Sequence, residues 1–411
     1  MPARAAETSC VLTGDDLLAR FIALDAFLIE HQALWKPRPF THLSLAWETS
    51  HPELSSWLRG RSLEDAERAH NHPADLTDAP EPFASLAKLS AQLSAVSELP
   101  RHAVEAAGHR LNVDVPGRKW QQIEAFASCL SFASQPTHWL DWCSGKGHLG
   151  RRLLSEGQQL TCVEYDPLLV ASGQALSQRH DLHALHVEQD VLAADAAAVV
   201  SASHTPIALH ACGDLHVRLM RLASAAGCQQ MAIAPCCYNR INRSEYQPLS
   251  SEGLRSALRL SLEDLALPMS ETVTAGARVK RQRDTSMARR LAFDCLQRQL
   301  RGTDEYLPTP SLPSAWLDKS FPDYCRDLAA LKELSTVGPT DWEKLEATGW
   351  QRLAEVRNLE LLRGLFRRPL ELWLNLDRAL FLVEQGYAVR LGTFCSAPLT
   401  PRNLLMLAER K

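Results

Sequence analysis

The segment Asp141-Trp142-Cys143-Ser144-Gly145-Lys146-Gly147-His148-Leu149-Gly150 puts a carboxylate, several small residues and a lysine into ten positions. Small residues let a turn bring backbone N–H groups against a ligand, and a helix opening behind the turn favours polar or anionic groups there. About seventeen residues past Gly147, Val163-Glu164-Tyr165-Asp166-Pro167 places a carboxylate to accept both hydroxyls of a ribose. Glu188-Gln189-Asp190-Val191 adds another, Asp190, suited to an adenine amino group. Together they describe a pocket for an adenosine-bearing cofactor, held by Asp141, Cys143, Gly145, Lys146, Gly147, Glu164, Asp190 and His210.

The turn also discriminates between cofactors. A dinucleotide turn reads G-x-G-x-x-G and sets phosphates on the helix N-terminus, whereas this one reads D-x-C-x-G-x-G. A leading carboxylate repels pyrophosphate but pairs with the ammonium of an amino acid. S-adenosylmethionine carries that ammonium and no phosphate. A P-loop is excluded because Gly145-Lys146-Gly147 lacks the earlier glycine and a Ser/Thr after the lysine.

A second group comprises His210, Cys212 and Asp214 with Cys236, Cys237, Tyr238 and Asn239. If both stretches end neighbouring strands, these side chains converge beside the methyl donor. Asp214 or His210 would act as general base while the methyl is transferred in line. Cys212 or Cys236 could instead be a nucleophile that adds to a pyrimidine. His210, Cys212, Cys236 and Cys237 offer four N/S ligands for zinc. However, adjacent cysteines on an extended chain point to opposite sides, and neither C-x-x-C nor H-x-x-x-H is present, so no metal is assigned. The plain alternative is that the cysteines are packed core residues. The acceptor side is assigned to Asp214, His210, Cys236, Cys237 and Asn239.

The surrounding elements must position these groups. Trp139–Trp142, Leu160–Glu164, His183–Val187, Pro206–His210 and Met231–Pro235 read as strands, each followed by a turn and a helical stretch. That alternation predicts a parallel α/β sheet covered on both faces. Residues 1–115 read as helical, with Leu17, Leu18, Phe21, Ile22, Leu24 and Phe27 at helical spacing after Thr13-Gly14-Asp15 and a second pattern over Phe83–Leu93. His70 and His72 fall in a Pro- and Asp-rich stretch, read as a solvated loop. Residues 240–360 lose the alternation and read as a mostly helical insertion. Within 361–411, Leu370–Gln385 predicts an apolar helix stopped by Gly386, and Tyr387–Phe394 and Leu404–Ala408 predict two strands that complete the sheet.

Several of these segments resemble a known family. The turn Asp141–Gly150, Leu209-His210-Ala211-Cys212-Gly213-Asp214-Leu215 and Ala234-Pro235-Cys236-Cys237-Tyr238-Asn239 resemble methyltransferase-like proteins related to the tRNA 2′-O-methyltransferases that carry a Cys-Cys-His-His element. That group includes the glutathione-S-transferase-C-terminal-domain-containing proteins. Arg118–Ile123, Leu376–Glu384 and Leu399–Asn403 resemble its lead-in, final helix and last strand entry, so the likeness covers roughly 116–240 and 370–411. Cys143 stands where the group more often has glycine, and Tyr238-Asn239 where the tRNA enzymes have His-His. The elements together predict a seven-strand Rossmann-like methyltransferase sheet with a helical N-terminal region (1–115), a core (116–239), a helical insertion (240–360) and a completing tail (361–411), while the resemblance, which does not extend to 1–115 or to the insertion, implies a class I S-adenosylmethionine-dependent methyltransferase. It implies S-adenosylmethionine as cofactor and favours an RNA acceptor.

Composition narrows the class. The 411 residues carry 44 Lys+Arg and 48 Asp+Glu, a formal net charge of −4, with 45% hydrophobic and 22% charged residues. This excludes wholesale disorder and a disulfide miniprotein. No stretch reaches the ~18 apolar residues of a membrane span. Met1–Glu7 has no apolar signal core behind it, so the eleven cysteines are expected as thiols in a cytoplasmic setting. Basic residues cluster from Arg278 to Arg301, with Arg240, Arg243, Arg367 and Arg368 as possible extensions. Such a stripe would serve phosphate contacts, which favours structured RNA, tRNA or rRNA, as substrate. The rivals are methylation of a protein or small molecule, and a scaffold that only binds the cofactor.

Overall fold

The structure, a computed structural model, describes residues 10–104, 111–271, 276–335 and 337–411. The N-terminal segment Met1–Glu7 lies outside the described residues. The chain forms two compact units, Met1–Ile29 with Gln92–Met269 and Arg368–Lys411, and Glu30–Ala91 with Ser270–Arg367.

The first unit is built on one sheet. Its strands are β1 (Leu12–Thr13), β2 (His138–Trp142), β3 (Gln159–Glu164), β4 (Ala184–Glu188), β5 (Thr205–Cys212), β6 (Gln230–Cys236), β7 (Tyr387–Thr393) and β8 (Leu404–Arg410), in the order β1-β7-β8-β6-β5-β2-β3-β4. Strands β2 to β6 pair parallel, and β8 runs antiparallel to both β6 and β7. The seven expected strands are present. The eighth, β1, pairs two residues with β7, too short to leave a periodic signal in the sequence. Helices α1 (Asp15–Glu30), α6 (Gly117–Cys129), α7 (His148–Leu153), α8 (Pro167–Arg179), α9 (Asp214–Ala226), α10 (Ser251–Arg255) and α14 (Arg367–Glu384) accompany the sheet. Strand β6 is buried along its whole length, and the core joins Phe126, Trp139, Leu160, Ile207, Ala232, Phe394 and Leu405.

Helix α14 carries buried polar groups that fasten the segment following β6. Asp377 is fully buried and accepts from the Tyr246 hydroxyl at 2.6 Å, the Leu249 and Ser250 amides at 2.8 and 2.9 Å, and the Ser250 hydroxyl at 2.6 Å. Glu371 accepts from the Tyr238 hydroxyl at 3.2 Å, and Asn375 donates to that hydroxyl at 2.9 Å. Arg378 donates to His216 Nε2 at 2.7 Å, while His216 Nδ1 lies 2.9 Å from the Ala211 carbonyl. Burial and Arg378 hold that imidazole neutral.

The second unit is helical: α2 (Gln32–Trp35), α3 (Pro52–Arg59), α4 (Leu63–Ala69), α5 (Phe83–Ser94, its last turn in the first unit), α11 (Ala277–Arg301), α12 (Phe321–Leu331) and α13 (Trp342–Gly364). Helices α11 and α13 touch at Gly349, where a Cβ would meet the Ala288 carbonyl at 2.5 Å. His70 departs from the solvated-loop reading. It is half-buried, its Nε2 lies 2.9 Å from the Ser270 carbonyl, and burial beside Arg367 lowers its pKa to about 4.

Candidate active site

The turn after β2 is made by left-handed residues. Cys143 has φ +56°, Gly145 +57° and Gly147 +74°. The non-glycine Cys143 occupies a conformation that costs an L-residue about 1–2 kcal/mol, which is the physical reason glycine suits this position better. Gly147 turns toward the sheet: a Cβ there would lie 2.9 Å from Cys162 Sγ and 3.0 Å from His186. Gly145 faces open space, with nothing within 4 Å of its would-be Cβ. Asp141 is 2% exposed, and its Oδ2 accepts the Gly150 amide of α7 at 2.9 Å. Burial raises the Asp141 pKa to about 7, against the Gly150 amide, Arg151 and Lys119, which pull it down.

A cavity of about 540 Å³ opens at this turn, within the range of small-molecule sites. Asp141, Cys143, Ser144, Gly145, Lys119, Gln122, His148 and His210 are in its wall. It therefore unites four of the expected residues, Asp141, Cys143, Gly145 and His210. Lys146 is exposed and is not among the lining residues. Glu164 stands at the end of β3, its Oε2 accepting the Gly145 amide at 2.8 Å and its Oε1 the Asp166 amide at 3.1 Å. Asp190 is exposed beyond β4, with Oδ1 on the Leu192 amide at 2.9 Å. Both carboxylates add to the burial that pushes the Cys143 thiol up.

The acceptor-side residues divide. His210 has φ +66°, within an irregularity of β5 between Leu209 and Cys212, and its Nε2 lies 2.8 Å from Gln122 Oε1. Burial, with Arg402 and Lys119 nearby, lowers its pKa to about 4, so the ring is neutral at pH 7. Asp214 lines a different cavity of about 410 Å³ with Arg218, Arg221 and Arg243. Its Oδ2 accepts the Asn242 amide at 2.8 Å. The structure thus separates the two residues read as alternative bases.

The thiols of Cys212, Cys236 and Cys237 come together, all within 4.8 Å of one another. The geometric reason for setting a metal aside fails here. Cys237 has φ +47°, so the chain is not extended at the Cys-Cys pair and both thiols reach one side. The cluster is three cysteines, not Cys-Cys-His-His. Tyr238 is buried against α14, and Asn239 is half-buried.

Gln122 and Lys119 were not singled out from sequence as site residues. Their one signal is the Arg118–Ile123 segment leading into β2, where helical spacing sets positions 119 and 122 on one face.

Strands β2 to β6 run parallel, β8 and β1 run against them, and an acidic-led glycine turn follows the first parallel strand. Residues 118–244, which run from α6 through β6, match the family model of a methyltransferase domain. The chain is an S-adenosylmethionine-dependent methyltransferase, and S-adenosylmethionine is its cofactor. The residues present fit it: a buried carboxylate for an ammonium and an open glycine for close backbone approach. Among the described residues no helix is long and apolar enough to cross a membrane.

Proposed function

We propose that this methyltransferase acts on RNA, tRNA or rRNA, in a cytoplasmic setting where its eleven cysteines stay as thiols. The observation that supports an RNA acceptor is a set of cations around the acceptor-side residues. Lys119 and Arg402 face His210; hydrogen bonds to Cys236 and Cys212 hold the Cys237 thiol low, and Arg240 and Arg402, which face it, add to that. A polyanion entering there would gain phosphate contacts without a wholly basic protein.

The basic segment Arg278–Arg301 contributes less than its composition suggests. Lys280 and Arg283 pair with Glu67, Arg289 donates to the carbonyls of Trp316, Leu317 and Lys319, and Arg290 donates to Thr309 and Pro310. Arg298 is held by Asp294 and Asp304, and Arg301 by Gln297 and Glu305. Arg278 and Arg281 are exposed. Glu67 comes from a distant segment, while Asp294, Asp304, Gln297 and Glu305 lie within six positions of the arginines they hold.

When bound, S-adenosylmethionine supplies an electrophilic methyl group. On this reading Asp141 binds its ammonium, Glu164 its ribose and Asp190 its adenine. Neutral His210, positioned by Gln122, orients the acceptor beside Cys236, Cys237 and Asn239. Asp214 holds the segment beyond β6 through Asn242.

The test is nucleoside mass spectrometry of RNA from cells with and without the gene, joined to RNA binding over a salt series. One methylated nucleoside should be lost. Lys119→Ala with Arg402→Ala should flatten the log–log salt slope by about 0.7–0.9 per phosphate contact removed. An unchanged nucleoside profile together with salt-insensitive activity would instead indicate a protein or small-molecule acceptor.

A further inference from the structure

We propose that Cys212, Cys236 and Cys237 form a zinc site with three thiolate ligands and an open fourth position. The three sulfurs lie within 4.8 Å of one another, and Cys212 Sγ is 3.6 Å from Cys236 Sγ. A tetrahedral zinc with bonds of about 2.3 Å sets its sulfurs about 3.8 Å apart, so the Cys212–Cys236 pair already has close to the needed spacing and Cys237 has at most about 1 Å to move. An S3 donor set is soft and suits zinc, while harder cations prefer oxygen.

The backbone departs from regular strand geometry twice to build this arrangement. Strand β5 slips register between Leu209 and Cys212, with His210 at φ +66°, which reorients Cys212. The chain then turns left-handed at Cys237, φ +47°, which brings two adjacent cysteines to the same side. Core packing of small thiols requires neither distortion, and strained backbone of this kind collects at functional sites. The two strands are neighbours, paired through Cys212 and Cys236 themselves.

The open position would take the methyl acceptor, a use that rests on the methyltransferase activity. Zinc lowers the pKa of a bound water to about 7, and an acceptor N–H, O–H or S–H held there would likewise shed its proton to solvent more readily. The acceptor lone pair then forms the new bond to carbon as the sulfonium–methyl bond breaks, leaving S-adenosylhomocysteine.

The test is metal content and zinc titration of the full reduced chain against a chromophoric chelator, in the absence of any RNA. One zinc per chain is expected, with cobalt substitution giving thiolate-to-cobalt charge-transfer absorption. Cys212→Ser, Cys236→Ser and Cys237→Ser should each weaken zinc by of order 100-fold or more and diminish that absorption. Cys10→Ser, an exposed site, should retain both. Circular dichroism checks that each variant is folded. Substoichiometric zinc in folded wild-type protein, zinc retained in all three variants, or a Cys212–Cys236 disulfide forming in place of metal binding would overturn the proposal. Stoichiometric zinc in a protein that methylates no RNA would overturn only the RNA assignment.

Discussion

The Gly145 amide donates to Glu164 Oε2 over 2.8 Å, so the carboxylate that ends β3 fastens the turn that follows β2. Glu164 therefore holds the turn and, on the proposed reading, also accepts the ribose hydroxyls. Glu164→Ala removes both and should weaken S-adenosylmethionine binding about 10-fold or more, since a charged acceptor contributes about 1.5–3 kcal/mol. Glu164→Gln keeps an acceptor for Gly145 and should lose less. Isothermal calorimetry decides, and an unchanged affinity in the alanine variant would remove Glu164 from the site.

How much of this was legible follows from what each residue contacts. The strands were readable because each carries an apolar run that the sheet buries, and the Asp141–Gly150 turn because its chemistry is local. The Cys212, Cys236 and Cys237 cluster was not, because its convergence depends on left-handed backbone at His210 and Cys237, which side-chain type does not announce. Lys280 and Arg283 looked available for phosphate because Glu67, their partner, lies more than two hundred positions earlier in the chain. Gln122 was missed for the same reason: its contact to His210 spans 88 positions.

Gly213 shows a backbone constraint at the edge of the acceptor region. Its φ is +53°, and a Cβ would lie 1.8 Å from the Arg240 carbonyl oxygen. That same carbonyl accepts the Asp214 amide at 3.0 Å, so it cannot retreat without losing the bond. Gly213→Ala should cost about 3 kcal/mol or more, a clash added to a left-handed backbone. Gly227→Ala is the control: φ is +78° but nothing lies within 4 Å, so only the conformational term of about 1–2 kcal/mol applies. Urea unfolding of the two variants should rank them in that order, and equal losses would contradict the steric account.

Asp377 joins α14 to the segment after β6 through four accepted hydrogen bonds. Asp377→Ala strands the Tyr246 hydroxyl and the buried Ser250 groups. With about 1–3 kcal/mol for each unsatisfied buried donor, a loss of about 3 kcal/mol or more is expected. Limited proteolysis should then cut near 240–250 before the rest of the unit. A variant as stable and protease-resistant as wild type would show that this hub is dispensable.

On the proposed reading, in which the cofactor ammonium sits on Asp141, cofactor binding has a pH dependence with a definite sign. Burial raises its carboxyl from 3.8 to about 7, with Glu164 adding to the rise and the Gly150 amide, Arg151 and Lys119 opposing it. The protonated form is favoured in the unliganded fold. Its contribution to stability is complete below the unfolded value and is lost as pH rises through about 7. An ammonium against Asp141 requires the ionised form, so binding below that point releases a proton. Affinity should rise by up to about tenfold per pH unit as pH approaches 7, then fall once the ligand's α-amino group deprotonates near about 7.7–8.0. His148, with a pKa lowered to about 4 by burial and by Arg151, Lys119 and Lys146, stays neutral throughout this window. Calorimetry in buffers of different ionisation enthalpy would count the released proton directly. Asp141→Asn should bind weakly and lose the rise between about pH 6 and 7, because no carboxyl remains to ionise. Wild-type affinity that is flat over that interval, with no proton released, would show that the ammonium does not sit on Asp141.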